Sequence, residues 1–255
     1  MWAERSALAL FLALLVWAPF PLGSNRPWAW TLLELGLFLA TGLWTIGWMQ
    51  RRHGSLYLLR AAQPAFVLLS LWLAWLALQC IPLPAGIVRV LSPQAAALHA
   101  LVGPYAGGAW VTLSVDPNAT LVFWLKSCAY TCAFFLTLAL AHTRERAQLI
   151  GYTLVLSGLA QAVYGGLMHL SGSDLEIFGT RIGHSGQASG GFVNRNHLAG
   201  FLEITLAMGI GLMVGSLRET WQRNWRQFWR DMAALLLSSR AAWRSRYQDT
   251  RRAAR

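Results

Sequence analysis

Six apolar stretches of roughly bilayer-crossing length dominate this chain and limit what it can become. They run over about Ser6–Leu22, Trp28–Met49, Pro64–Cys80, Leu121–Ala141, Leu149–Leu170 and His197–Leu217, each close to the ~20 residues an α-helix needs to cross a hydrocarbon core. An embedded segment must satisfy its backbone polar groups internally, which points to helices. Composition agrees. Charged residues make up 12% and hydrophobic residues 56% of the 255, about half the ~25% charge of an ordinary soluble domain. The expected fold is all-α: a polytopic membrane protein with about six transmembrane helices over residues 1–217, then a basic, Trp-rich cytoplasmic tail over 218–255. A signal peptide is the alternative for the first stretch. Against it, no small-x-small pattern marks a cleavage point, and Trp28–Trp30 opens the next span.

A net charge of +11 would suit a nucleic-acid binder, but the basic residues fall between and after the apolar runs, so no nucleic-acid partner is expected. Their placement reads instead as topology, because short translocated loops are depleted in Lys and Arg. With the N-terminus inside, sixteen arginines lie on the cytoplasmic side, ten of them in the tail. Arg26, Arg89, Arg181 and Arg195 lie outside, and Lys126 sits within a span. Both termini are therefore expected to be cytoplasmic. Cys80, Cys128 and Cys132 offer neither a disulfide framework nor metal-ligand spacing, and no metal or cofactor is expected.

Two external loops are long, Ile81–Thr120 and Ser171–Asn196. In the first, Ser92-Pro93 has the form of a helix start and predicts a short helix over Gln94–Val102, either a packing plug or part of a substrate site. The second carries six glycines, which suits either close approach to a ligand or a mobile loop. In the tail, Trp221, Trp225, Phe228, Trp229, Met232 and Leu236 recur at helical spacing, with Arg223, Arg226 and Arg230 on another face. That pattern marks an amphipathic helix in the membrane interface, with the arginines favouring an anionic inner leaflet.

Charges within spans are costly and are functional candidates by default. Glu34, Lys126 and Glu203 each follow the outer start of a span, at ~8–10 Å depth for 1.5 Å per residue, so Lys126 can pair with Glu34 or Glu203. Such a pair serves helix packing or a substrate equally well. Above this layer lies the densest polar run, Gly191-Phe192-Val193-Asn194-Arg195-Asn196-His197-Leu198-Ala199-Gly200-Phe201-Leu202-Glu203. Asn194 or Asn196 would cap the last span, whose exposed N–H groups form an anion site. Arg195 adds a planar donor suited to phosphate, and His197 a group able to move a proton near neutral pH, or simply an anchor at the membrane edge. Asn196 and Glu203 share a helix face. A lipid-linked pyrophosphate fits such a site.

The segment Phe192–Glu203 resembles the signature of the bacterial O-antigen ligase/polymerase family. Leu113-Ser114-Val115-Asp116-Pro117-Asn118-Ala119-Thr120 more weakly resembles a second stretch of members that carry it. The resemblance implies metal-independent glycan transfer in cell-surface polysaccharide or lipopolysaccharide biosynthesis, on the outer face of the bacterial inner membrane. The donor would be an undecaprenyl-pyrophosphate-linked glycan and the acceptor lipid A–core or another glycan. It makes Arg195 the leading pyrophosphate contact, with Asn194, Asn196 and His197 around it, Glu203 below, and Arg181 as a further candidate by position; it names no catalytic base. Members have about ten or more spans, so the resemblance covers the N-terminal half, and the expectation is a truncated form whose transfer activity needs the second half. Two other classes remain: a non-catalytic remnant or assembly subunit of a polysaccharide machine, and, ranked last, a transporter built on Glu34, Lys126 and Glu203, since no Gly/Pro-interrupted pair of spans marks an internal repeat.

Overall fold

A computed structural model gives the fold and describes residues 2–50, 57–106, 109–171 and 188–253. Helix α1 covers Trp2–Trp17, α2 Pro27–Met49, α3 Tyr57–Ala61 and α4 Gln63–Cys80. The first long loop folds into α5, Ala85–Leu91, and α6, Pro93–Ala106, between two short strands. These strands, β1 (Leu83–Pro84) and β2 (Trp110–Val111), pair antiparallel with Leu83 opposite Val111. Helices α7, Pro117–Leu140, α8, Arg144–Ser171, and α9, Arg195–Ala253, complete the order.

Five of these helices are long and apolar enough to cross a membrane: α2, α4, α7, α8 and the Arg195–Leu217 part of α9. The expected first span is shorter than the sequence suggested and starts earlier, at Trp2 rather than Ser6. Its 16 residues reach about 24 Å at 1.5 Å per residue, less than the ~30 Å hydrocarbon core. Pro19 and Pro21 explain the early stop, since proline has no N–H to continue the helical ladder. The chain then turns through Leu22–Ser24 in the left-handed region, with Gly23 at φ 62°, and Ser24 Oγ donates to the Ala18 carbonyl at 2.8 Å. Proline at the second helical position opens α4 and at the first opens α2 and α7, where its missing N–H costs nothing.

The first unit, Met1–Thr205, has a core shared by α1, α2, α7 and α8. Phe11, Leu14, Leu37, Trp44, Leu136, Leu140 and Ile150 pack there with Ala7, Ala40, Ala129 and Ala139. Small residues let helices approach closely where lipid supplies no hydrophobic drive between them. Trp44 and Phe135 meet edge to face with centroids 4.8 Å apart.

The outward faces are as apolar as this core. Val67, Leu68, Leu71, Trp72 and Trp75 of α4 are exposed, and only Leu76 of that helix is buried. Hydroxyls within the spans bond back to the carbonyl four residues earlier, as Thr41, Ser127, Thr131 and Thr153 do at 2.8 or 2.9 Å. That satisfies these four hydroxyls within their own helices. Together these features make the chain an all-α polytopic membrane protein.

The second unit, Leu206–Arg255, holds the remainder of α9. Helical backbone continues through the expected boundary at Leu217 to Ala253 without interruption, and the division between units falls within the last span.

Candidate functional site

Two polar centres emerge in the first unit, one at each end of α1. At its start, Glu4 is 4% exposed and forms an ion pair with Arg146, beside the α7–α8 turn. His142 of that turn brings its Nε2 to 3.8 Å from the same carboxylate, while its Nδ1 lies 3.1 Å from the Ala139 carbonyl. The pair joins positions 142 residues apart. Sequence analysis missed it, because Glu4 and Arg146 both flank spans and each looks like an ordinary membrane-edge charge.

At the other end of α1, the segment before α9 docks against the rest of the bundle. Gln161 of α8 is fully buried and accepts the Gly191 N–H at 2.7 Å. A Cβ at Gly191 would lie 2.6 Å from the Pro19 carbonyl oxygen and 2.8 Å from that of Phe20; only glycine brings this backbone so close. The Phe192 ring fills the space over Gly23, where a Cβ would sit 2.6 Å from it, and lies 5.6 Å from Phe201. Leu198, buried, packs beside Gly165 and Gly190. A glutamine, two phenylalanines and a leucine thus fix where α9 begins.

That beginning has the polar geometry the sequence predicts. Of the two candidate caps, Asn194 takes the role: its Oδ1 accepts the Asn196 N–H at 2.8 Å, and its carbonyl accepts the N–H groups of His197 and Leu198 at 3.0 and 3.3 Å. Asn194, Arg195, Asn196 and His197 are all exposed. Neither Arg195 nor His197 makes an ion pair among the described residues. A capped helix start carrying a guanidinium and an imidazole, held by a buried scaffold, is able to bind an anion.

The intramembrane charges do not form the single layer their depths suggest. Lys126 places its ammonium 3.3 Å from the centroid of the Trp30 ring, one turn before Glu34 on α2. One Glu34 carboxylate oxygen is buried without a hydrogen-bond partner. Neither expected carboxylate forms an ion pair with Lys126 among the described residues; the Trp30 ring takes the contact instead. Glu203 is exposed and makes no ion pair among the described residues. The reason is geometric: Trp30 and Glu34 share the face of α2 against which α7 packs. Lys126 is the tenth residue of α7 and Trp30 the fourth of α2, so the long side chain reaches towards the end where α2 starts.

Arg181 lies outside the described residues. Arg26, which the sequence reading passed over, stands at the N-cap position of α2, three residues after the Gly23 that carries Phe192.

The Leu113–Thr120 stretch does a local job. Asp116 caps α7 by accepting the Ala119 N–H at 2.9 Å. Ser114, buried, has its hydroxyl 2.7 Å from that of Thr120 and donates its N–H to the Gln79 carbonyl at 3.0 Å. This ties the end of α4 to the start of α7. The expected short helix after Ser92-Pro93 is present as α6, starting one residue earlier and ending four residues later than predicted, and His99 on it lies 3.0 Å from the Thr112 carbonyl. Among the described residues no three His, Cys, Asp or Glu side chains gather as a metal site would require.

No family model, curated protein or solved structure matches the chain.

Proposed function

We propose that the start of α9 binds the diphosphate of a polyprenyl-linked glycan, and that the protein belongs to glycan-transfer machinery of the O-antigen ligase/polymerase type. One observation carries this reading. Arg195 and His197 stand exposed at a helix start capped by Asn194, on a backbone anchored by Gln161 and Phe192. The helix N-terminus and the guanidinium both favour a doubly charged phosphate group, and the surrounding apolar surface suits an isoprenoid tail. Asn196 offers an amide to the sugar or phosphate, and Glu203 a carboxylate two turns below on the same face.

In this reading the Asn194–His197 end faces outward in a bacterial inner membrane, both termini are cytoplasmic, and the bound glycan is destined for lipid A–core or another glycan. Burial of Glu4 against Arg146 supports it by putting the chain's start at the same end as the α7–α8 turn, as that topology requires.

The test is binding of undecaprenyl diphosphate to the full chain in nanodiscs, followed by native mass spectrometry, with undecaprenol as the uncharged control. Preference for the diphosphate, lost in Arg195→Ala, is the expected result. Equal retention of both lipids, or undiminished binding by the variant, would overturn the proposal. Diphosphate binding that leads to no glycan transfer would move the protein to the assembly-subunit class.

A further inference from the structure

We infer that the C-terminal part of α9 is a docking helix for an anionic phospholipid surface, seated through one aromatic face and one arginine face. The inference stands apart from the carrier-lipid reading. Backbone is helical throughout 218–253, so residue positions can be placed by register at ~100° per residue. Trp221, Trp225, Phe228 and Trp229 then fall within an arc of about 100°, and the same arc holds Trp243 and Tyr247, well past Leu236, interrupted by Arg218, Ser239 and Arg246. Trp225 and Trp243 are about five whole turns apart at 3.6 residues per turn. Arg223, Arg226, Arg230, Arg240 and Arg244 fall on a separate arc of similar width, centred roughly 120° away. Trp225, Trp229 and Met232 are exposed, and the two indoles meet edge to face at 5.8 Å.

The period of the stripe selects the partner. A second copy of this chain, paired as a supercoil, needs apolar positions every 3.5 residues. At that period Trp243 and Tyr247 fall roughly 100° and 150° from Trp221, off any shared seam. The aromatic stripe instead keeps to 3.6 as far as Tyr247, which suits a straight helix on a flat surface. Tryptophan and tyrosine settle at the headgroup level of a bilayer. The tail's ten arginines against three acids, with no lysine, favour bidentate contact with phosphate and attraction to an anionic leaflet.

Lying flat requires a bend where the helix leaves its span, and Gly215-Ser216 supplies the place. Gly/Ser pairs are recurrent kink sites, and Ser216 Oγ already donates to the Met213 carbonyl at 2.7 Å.

The experiment is limited trypsin digestion of the full-length protein in nanodiscs of phosphatidylcholine alone or of phosphatidylcholine with phosphatidylglycerol, following cleavage after Arg226, Arg230, Arg240 and Arg244. Anionic lipid is expected to slow cleavage about tenfold or more, since each arginine near such a surface contributes about 1 kcal/mol and tenfold corresponds to about 1.4. High salt should remove the difference at all four sites, and the combined variant Arg223→Gln, Arg226→Gln and Arg230→Gln should remove it at the two sites it retains, Arg240 and Arg244. Equal cleavage in the two lipids would overturn the inference. So would equal protection by a single-stranded RNA in phosphatidylcholine nanodiscs, which would make nucleic acid the partner, or protection that follows protein concentration alone, which would make it a second copy.

Discussion

The two ends of α1 use the same kinds of side chain for opposite purposes. At the Glu4 end an arginine, a histidine and a carboxylate are turned inward: the Glu4 side chain is 6% exposed and that of Arg146 21%, with His142 alongside. At the other end, Arg195 and His197 project from a helix start into the open, and the burial is done by Gln161, Phe192 and Leu198 beneath them. A buried ion pair consumes the binding capacity of both partners. An exposed cation on a fixed backbone keeps it. Position relative to the core, more than residue type, therefore separates a structural arginine from a candidate ligand contact.

Substitutions can break this comparison, and their expected effects on stability descend from one end to the other. Arg146→Ala should be the most severe, at about 3–5 kcal/mol, because it removes the guanidinium paired with the buried Glu4 carboxylate. Thermal unfolding in detergent measures this. Combining it with Glu4→Leu should recover most of the loss, since exchanging both partners for apolar residues is often neutral; no recovery would mean the pair does more than hold helices together. Gly191→Ala comes next, at about 1–3 kcal/mol, as its methyl group would press on two backbone oxygens that cannot yield cheaply. Asn194→Ala should cost about 1 kcal/mol through loss of the cap, with Asn194→Asp retaining it. Arg195→Ala should change stability by less than about 0.5 kcal/mol, as exposed substitutions do, yet weaken diphosphate binding about tenfold or more. If Arg195→Ala proved as destabilising as Arg146→Ala, the contrast between the two ends would fail.

Lys126 sharpens the same point from within the membrane. Its depth in the sequence gave two carboxylates an equal claim on it, and the fold gave the contact to neither, packing α7 against α2 so that the ammonium lies over the Trp30 ring. Trp30→Leu should then cost about 0.5–2 kcal/mol through loss of the cation–π contact, whereas Glu203→Gln, at an exposed position, should leave stability unchanged within about 0.5 kcal/mol.

Much of the site was legible in advance because it is local. The cap, the guanidinium and the imidazole lie within four consecutive residues, and hydropathy marks where their helix enters the membrane. The scaffold below them was not legible. Gln161 looks like an isolated polar residue in an apolar helix, and nothing near it in the chain announces that it meets Gly191. Arg26 was missed for a related reason: its neighbours in sequence are unremarkable, and only the Gly23–Phe192 contact brings its loop to the α9 segment.

The sequence by itself determined most of the elements: five of the six expected spans, where prolines and Asn194 set helix starts, and the period of the tail's aromatic stripe. Each follows from a segment's own preference for lipid, water or interface, which acts on every stretch independently. Tertiary structure alone decided the partners: Glu4 with Arg146, Lys126 with Trp30, Gln161 with Gly191. Apolar helices present nearly equivalent surfaces to one another in a bilayer, so which faces adjoin depends on close packing of small residues and on the few polar groups that must be satisfied. Those terms exist only once the helices are side by side.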